Sequence, residues 1–170
     1  MMNKVLCSLL LFLSISCGLQ GRNANYARDS KRIWLDSKEI HHGEYVWKMK
    51  KAGDVISSAE KVSTLGYDTS DWLSAIVPGT VLNSLVYNKE YPEPYYGVNN
   101  KLESGKIPDI SKVGREFYTY WFRTEFDVPE SFAGKTIWLQ PDGVNYRAEI
   151  WVNGNLLSTL NGMFISDYIN

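Results

Sequence analysis

The side chains of this chain that could do chemistry are few, and their spacing argues against most of the reactions they would serve. His41-His42 is the whole of the histidine content. Neighbouring residues on an extended chain point to opposite faces, and no cysteine, third histidine or carboxylate cluster stands nearby at ligand spacing. The pair is therefore a poor chelate and reads as a solvated turn. Glu125, Asp127 and Glu149 are acids that could donate or accept protons, but they alternate with apolar residues beside Arg123 and Arg147. Cross-strand charge pairing accounts for them without catalysis. Tyr91-Pro92-Glu93-Pro94-Tyr95-Tyr96-Gly97-Val98-Asn99-Asn100 packs prolines, tyrosines and amides too densely for regular structure. It is a polar, aromatic loop. No motif implies a cofactor.

The elements that must position these residues are mostly strands. From Tyr118 the chain alternates, with Tyr120, Phe122, Thr124, Phe126 and Val128 on one face and Thr119, Trp121, Arg123, Glu125 and Asp127 on the other. A period of two is the mark of a strand with distinct faces, and Pro129 ends it. Thr136–Gln140 reads as a second strand, with Ile137 and Leu139 inward. Pro141-Asp142-Gly143 reads as a turn in which glycine takes positive φ. Tyr146 to Val152 alternates again, and Asn153-Gly154 supplies a type I′ hairpin turn into Leu156–Leu160. Upstream, Arg32–Leu35 and Tyr45–Lys50 are short strand candidates, and Ala52–Thr69 is a polar loop. Thr80 is a suitable N-cap for one short helix near residues 80–88, with Leu82, Leu85 and Val86 on one face. A further loop, Lys101–Gly114, leads into the long strand.

The chain has 170 residues and a formal net charge of −1. That length suits one domain, and the balanced charge argues against nucleic acid as a partner. The N-terminus is different in kind. Lys4 is the only charge before Arg22, and Val5 to Ile15 is almost unbroken apolar sequence. A positive start, a short apolar run and small residues make residues 1–20 a signal peptide, too short to span a bilayer. Ser14-Ile15-Ser16-Cys17-Gly18 offers a lipobox, with lipid attached at Cys17; ordinary cleavage that discards Cys17 stands beside it. Either way the mature chain keeps no pair of cysteines for a disulfide. Gly21–Lys31 reads as a tether. The expected location is exported, periplasmic or at the cell surface, as a lipoprotein if Cys17 is acylated. Any membrane contact would run through that anchor alone.

The order of several motifs resembles family 2 glycoside hydrolases. These are Val77-Pro78-Gly79-Thr80-Val81-Leu82, Pro92-Glu93-Pro94-Tyr95-Tyr96-Gly97, Tyr118–Phe126, Asn145–Gly154 and Gly162-Met163-Phe164. The likeness runs from about Trp47 to Phe164, to the N-terminal sugar-binding-like domain of the β-mannosidase and exo-β-glucosaminidase branch. Glu93 departs mildly from the aspartate usual between the prolines. The resemblance implies an all-β, galactose-binding-like jelly-roll β-sandwich, residues 21–170 being its N-terminal portion. Family 2 enzymes are retaining β-glycosidases whose two carboxylates, about 5–5.5 Å apart, sit on a (β/α)8 barrel of typically ~250 residues. Nothing of that size follows Met163. The family's acid/base glutamate follows an asparagine, and this sequence contains no Asn-Glu dipeptide. The expectation is a chain with no catalytic residues and no activity of its own.

Ile165–Asn170 resembles a later family segment with the intervening strand missing. This implies a truncated sandwich, lacking its last strands, with an unpaired edge and marginal stability. By the same resemblance Tyr95, Tyr96, Asn99 and Asn100 are the candidate site. Tyrosine rings stack on sugar faces and amides bond to hydroxyls, or the two rings pack the loop onto a barrel. Trp121 and Trp151 could form a lectin-like platform or be covered by a neighbouring domain. Two functions follow: the non-catalytic N-terminal part of an exported β-glycosidase, partnered by its barrel, or a stand-alone surface module that binds carbohydrate.

Overall fold

The computed structural model describes residues 4–12, 32–38, 45–162 and 168–170. His41-His42, Cys17, the tether and Met163–Phe164 lie outside the described residues. Strands β1 (Lys4–Phe12), β2 (Lys48–Lys51), β3 (Leu73–Ser74), β4 (Thr119–Asp127), β5 (Arg147–Val152) and β6 (Asn155–Asn161) form one six-stranded sheet in the order β3-β2-β4-β1-β5-β6. Every pairing is antiparallel. The all-β expectation holds, and the α-helices named among the described residues are short: α1 (Ala59–Val62), α2 (Val81–Tyr87) and α3 (Ile110–Val113).

The long strand, the fifth and the hairpin form where the alternation places them. The hairpin is closed as its Asn-Gly pair predicts: Asn153 has φ 48° and Gly154 φ 83°, the two positive values that a type I′ turn needs. Its tip is anchored, because Gly154 N–H reaches the Ser63 carbonyl at 3.2 Å and the Ser63 hydroxyl at 3.1 Å. The Thr136–Gln140 expectation is corrected. That segment is not a strand; Leu139 alone makes a bridge, to Ile169, while Ile137 and Trp138 are exposed. Gly143 does not take positive φ either, and the chain only bends at Asp142. Arg32–Leu35 is likewise irregular, and Ser37 next to it bridges Tyr45 in parallel.

Helix α2 starts on Thr80, whose hydroxyl accepts from Asn83 N–H at 3.0 Å. Its buried stripe is Val81, Ser84 and Leu85, one step round from the Leu82, Leu85, Val86 face expected from apolarity. The reason is polar. Ser84 Oγ accepts the Ile76 N–H at 3.0 Å, satisfying a buried donor that the sheet does not reach. At the other end Asn88 exchanges hydrogen bonds with the Ser74 backbone and donates to the Ser84 carbonyl, fastening the helix to β3. Gly79 has no room for a side chain, since a Cβ there would stand 2.6 Å from the Ile76 carbonyl oxygen.

Both faces of the sheet are covered. On one, Met49, Tyr118, Tyr120 and Phe122 pack with Trp47, Ala75 and the α2 stripe. Ala148, Ile150 and Leu160 continue that layer with Val144 and Ile169. On the other, Trp121 and Trp151 pack under Val62 and Trp72. Burying each large apolar side chain is worth about 1.5–3 kcal/mol, so the 52–72 segment is a second layer and not a free loop.

Candidate functional site

The Tyr91–Asn100 loop is a compact knot with its aromatic side turned outward. Tyr96 N–H bonds to the Glu93 carbonyl at 3.2 Å, and Asn99 N–H to the Tyr96 carbonyl at 3.2 Å. Gly97, at φ 59°, makes the reversal that Pro92 and Pro94 alone could not. Asn99 is the residue around which the knot is tied. Its side-chain N–H donates to the Glu93 carbonyl at 2.9 Å, its side-chain oxygen accepts from Lys106 Nζ at 3.0 Å, and its carbonyl accepts from Ser104 Oγ at 3.1 Å. It is only 7% exposed, whereas Tyr95 is 80% and Tyr96 77% exposed. Asn100 is exposed as well. The structure therefore leaves three of the expected residues exposed and places the fourth inside, as the brace of the loop.

Trp121 and Trp151 are not a platform. They are 5% and 9% exposed, because α1 and Trp72 lie over them. The indole N–H of Trp151 is given to Glu149 at 3.2 Å. The charges of β4 are also arranged differently from a cross-strand pair. Arg123 is buried and bonds to Glu125 two residues along its own strand. It further donates through Nε to the Val62 carbonyl at 3.1 Å and through Nη2 to the Thr64 carbonyl at 2.9 Å. Glu125 in turn accepts the Gly66 N–H at 2.8 Å. The acid and base of this strand are thus employed in pinning the covering layer.

Two open clefts of about 530 and 290 Å³ adjoin along the edge of β2 and share Lys50, Asp54 and Asp71. Tyr67, Thr64 and Lys61 line the larger; Tyr91, Tyr120 and Glu90 line the smaller. Lys50 Nζ bonds to Asp71 at 2.5 Å, which raises the lysine above its usual value. Burial pushes the Tyr120 phenol up to about 12, with the Tyr91 phenol as a secondary cause, so it remains a neutral hydroxyl. These residues escaped the sequence reading because positions 50, 71, 91 and 120 carry no mutual spacing signal. Only the register that sets Lys50 beside Trp121 and Lys51 beside Tyr120 brings them together. Among the described residues no group of histidine, cysteine and carboxylates is placed to hold a metal ion.

A family model described as glycosyl hydrolase 2 galactose-binding domain-like matches residues 47–170. The chain is 41% identical over 96 residues to a mannosylglycoprotein endo-β-mannosidase of Lilium longiflorum, covering 56% of this chain and 10% of that protein. It is 28% identical over 112 residues to an exo-β-D-glucosaminidase of Amycolatopsis orientalis (64% and 10%). A β-mannosidase B of Aspergillus terreus is 30% identical over 125 residues (73% and 12%). The matched stretch is thus about a tenth of the length of these curated relatives. No solved structure matches the chain.

Proposed function

The chain belongs to the glycosyl hydrolase 2 galactose-binding domain-like family, and from that premise we propose that it is the non-catalytic N-terminal portion of an exported family 2 β-glycosidase. The observation that carries the reading is the extent of the likeness: one galactose-binding-like unit aligned with about a tenth of each relative. The chemistry of the site agrees. Glu125 and Arg123 are spent on holding the covering layer, and Asp71 is tied to Lys50. In this reading Tyr95, Tyr96 and Asn100 form the surface that meets the catalytic domain or the sugar chain entering it, and Asn99 fixes their geometry. Export is supported by the apolar run behind Lys4, with Cys17 as the point of lipid attachment if the lipobox is used.

The test is to offer the purified chain p-nitrophenyl β-mannoside and β-glucosaminide. No release of nitrophenol is expected, and turnover that survives purification to homogeneity contradicts the reading. The exposed tyrosine pair also favours a second reading, a surface module that binds carbohydrate by itself, since exposed adjacent rings suit stacking on a sugar. Calorimetric titration with manno- and glucosamine oligomers separates the two: measurable affinity supports the module, and none supports the domain.

A further inference from the structure

The middle of the sheet is built on the segment that reads as an export leader. On one edge β1 pairs with β4, from Lys4 opposite Asp127 to Phe12 opposite Thr119. On its other edge it pairs with β5, from Cys7 opposite Val152 to Phe12 opposite Arg147. β4 and β5 are not paired with each other, so within the sheet it is β1 that connects β4 to the β5–β6 hairpin. The neighbouring edges lie deep. β4 is buried on both faces from Thr119 to Thr124, and Ala148, Ile150 and Trp151 of β5 are buried too. Removing β1 would leave two facing rows of backbone donors and acceptors unpaired within the fold, where water serves them poorly.

We infer that the cleft between β4 and β5 is a binding site for one extended apolar peptide strand, and that its occupant is this chain's own Lys4–Phe12, retained without a covalent link once processing cuts the leader from the domain. The cutting rests on the export reading proposed above; the seat does not. Recognition is by main-chain pairing on both edges, the mode in which an added strand completes a sheet. Its selectivity comes from the surroundings. A strand between doubly buried neighbours must be a near-continuous apolar run without proline, and KVLCSLLLF is such a run over its nine residues. A polar or proline-bearing segment does not fit.

The experiment uses the full chain with a specific protease site placed within residues 21–31, folded first and nicked afterwards. Size-exclusion chromatography with mass detection then asks where the N-terminal piece goes. It is expected to co-elute with the remainder and to be replaced over time by a labelled synthetic 4–12 peptide. A Leu9→Pro peptide should compete about tenfold less well or worse, because proline lacks a ladder donor at the position opposite both Phe122 and Ile150. If the remainder precipitates on losing its leader, prevention by the added peptide also supports the site. Three results overturn it: separate elution while the remainder keeps its β-sheet circular dichroism, equal competition by the proline peptide, or precipitation that the peptide does not prevent. Since the cut is engineered, these outcomes do not depend on export. N-terminal sequencing of the protein from its source cells tests that separately.

Discussion

Arg123 is where one substitution should most clearly uncouple the two layers of the domain. It is 4% exposed, and its guanidinium serves the carbonyls of Val62 and Thr64 while pairing with Glu125. Arg123→Met keeps much of the apolar stem but removes every donor. The two carbonyls then lose charged hydrogen bonds worth about 1.5–3 kcal/mol each, partly offset because a buried charge has also been removed. Glu125 is more than a third exposed and keeps the Gly66 N–H, so its loss counts for little. The net expectation is about 3 kcal/mol of destabilisation, or roughly 6–12 °C in Tm for a chain of this size. Glu125→Gln should cost under about 1 kcal/mol. Thermal unfolding followed by circular dichroism gives the magnitude. Limited proteolysis locates it, with new cleavage confined to residues 52–72. A fall of less than about 2 °C in Arg123→Met, or an equal fall in both variants, would refute the view that Arg123 pins the covering layer.

The remaining predictions concern the helix, the loop and the buried phenol. Gly79→Ala should destabilise by about 1–3 kcal/mol, since its Cβ meets the Ile76 backbone, which cannot swing away. Thr80→Ala should cost about 1 kcal/mol from the lost cap; denaturant melts check both. Tyr95→Ala and Tyr96→Ala should leave Tm within about 1 °C, as neither ring is covered, whereas Asn99→Ala should lower it and raise proteolysis of the 91–106 loop. Tyr120 ionises near 12 when folded and near 10 when unfolded. Its neutral form therefore contributes stability that is complete below about pH 10 and is lost as pH rises towards 12. In alkaline unfolding, Tyr120→Phe should show a shallower fall than wild type across that window. An identical slope would mean the phenol is not shielded.

What could be read in the sequence was what local rules encode. The alternation of Tyr118–Asp127, the Asn153-Gly154 turn and the Thr80 cap depend on neighbours a few residues away, and each appears in place. Thr136–Gln140 was misread because apolar alternation does not supply a partner strand; only Leu139 finds one, in Ile169. Whether Trp121 and Trp151 form a platform or are covered was left open by the sequence, because the polar Ala52–Thr69 segment gives no sign that Val62 and Trp72 will cover them. The tyrosines of the 91–100 loop were singled out by the family resemblance. The inward role of Asn99 was not, because it depends on Lys106 and Ser104 folding back. Residues 4–12 carry a signal compatible with two fates, since an apolar run fits an export leader and a strand in the middle of a sheet alike.

The central claim is that this domain works as one part of a larger glycosidase. The most direct measurement is the mass of the native polypeptide in its source cells, by immunoblot with antibody raised against residues 47–162. A band several times heavier than the 19.4 kDa of this chain is the predicted result. A single band at about 19.4 kDa would contradict it and leave carbohydrate binding by the free domain as the function to pursue.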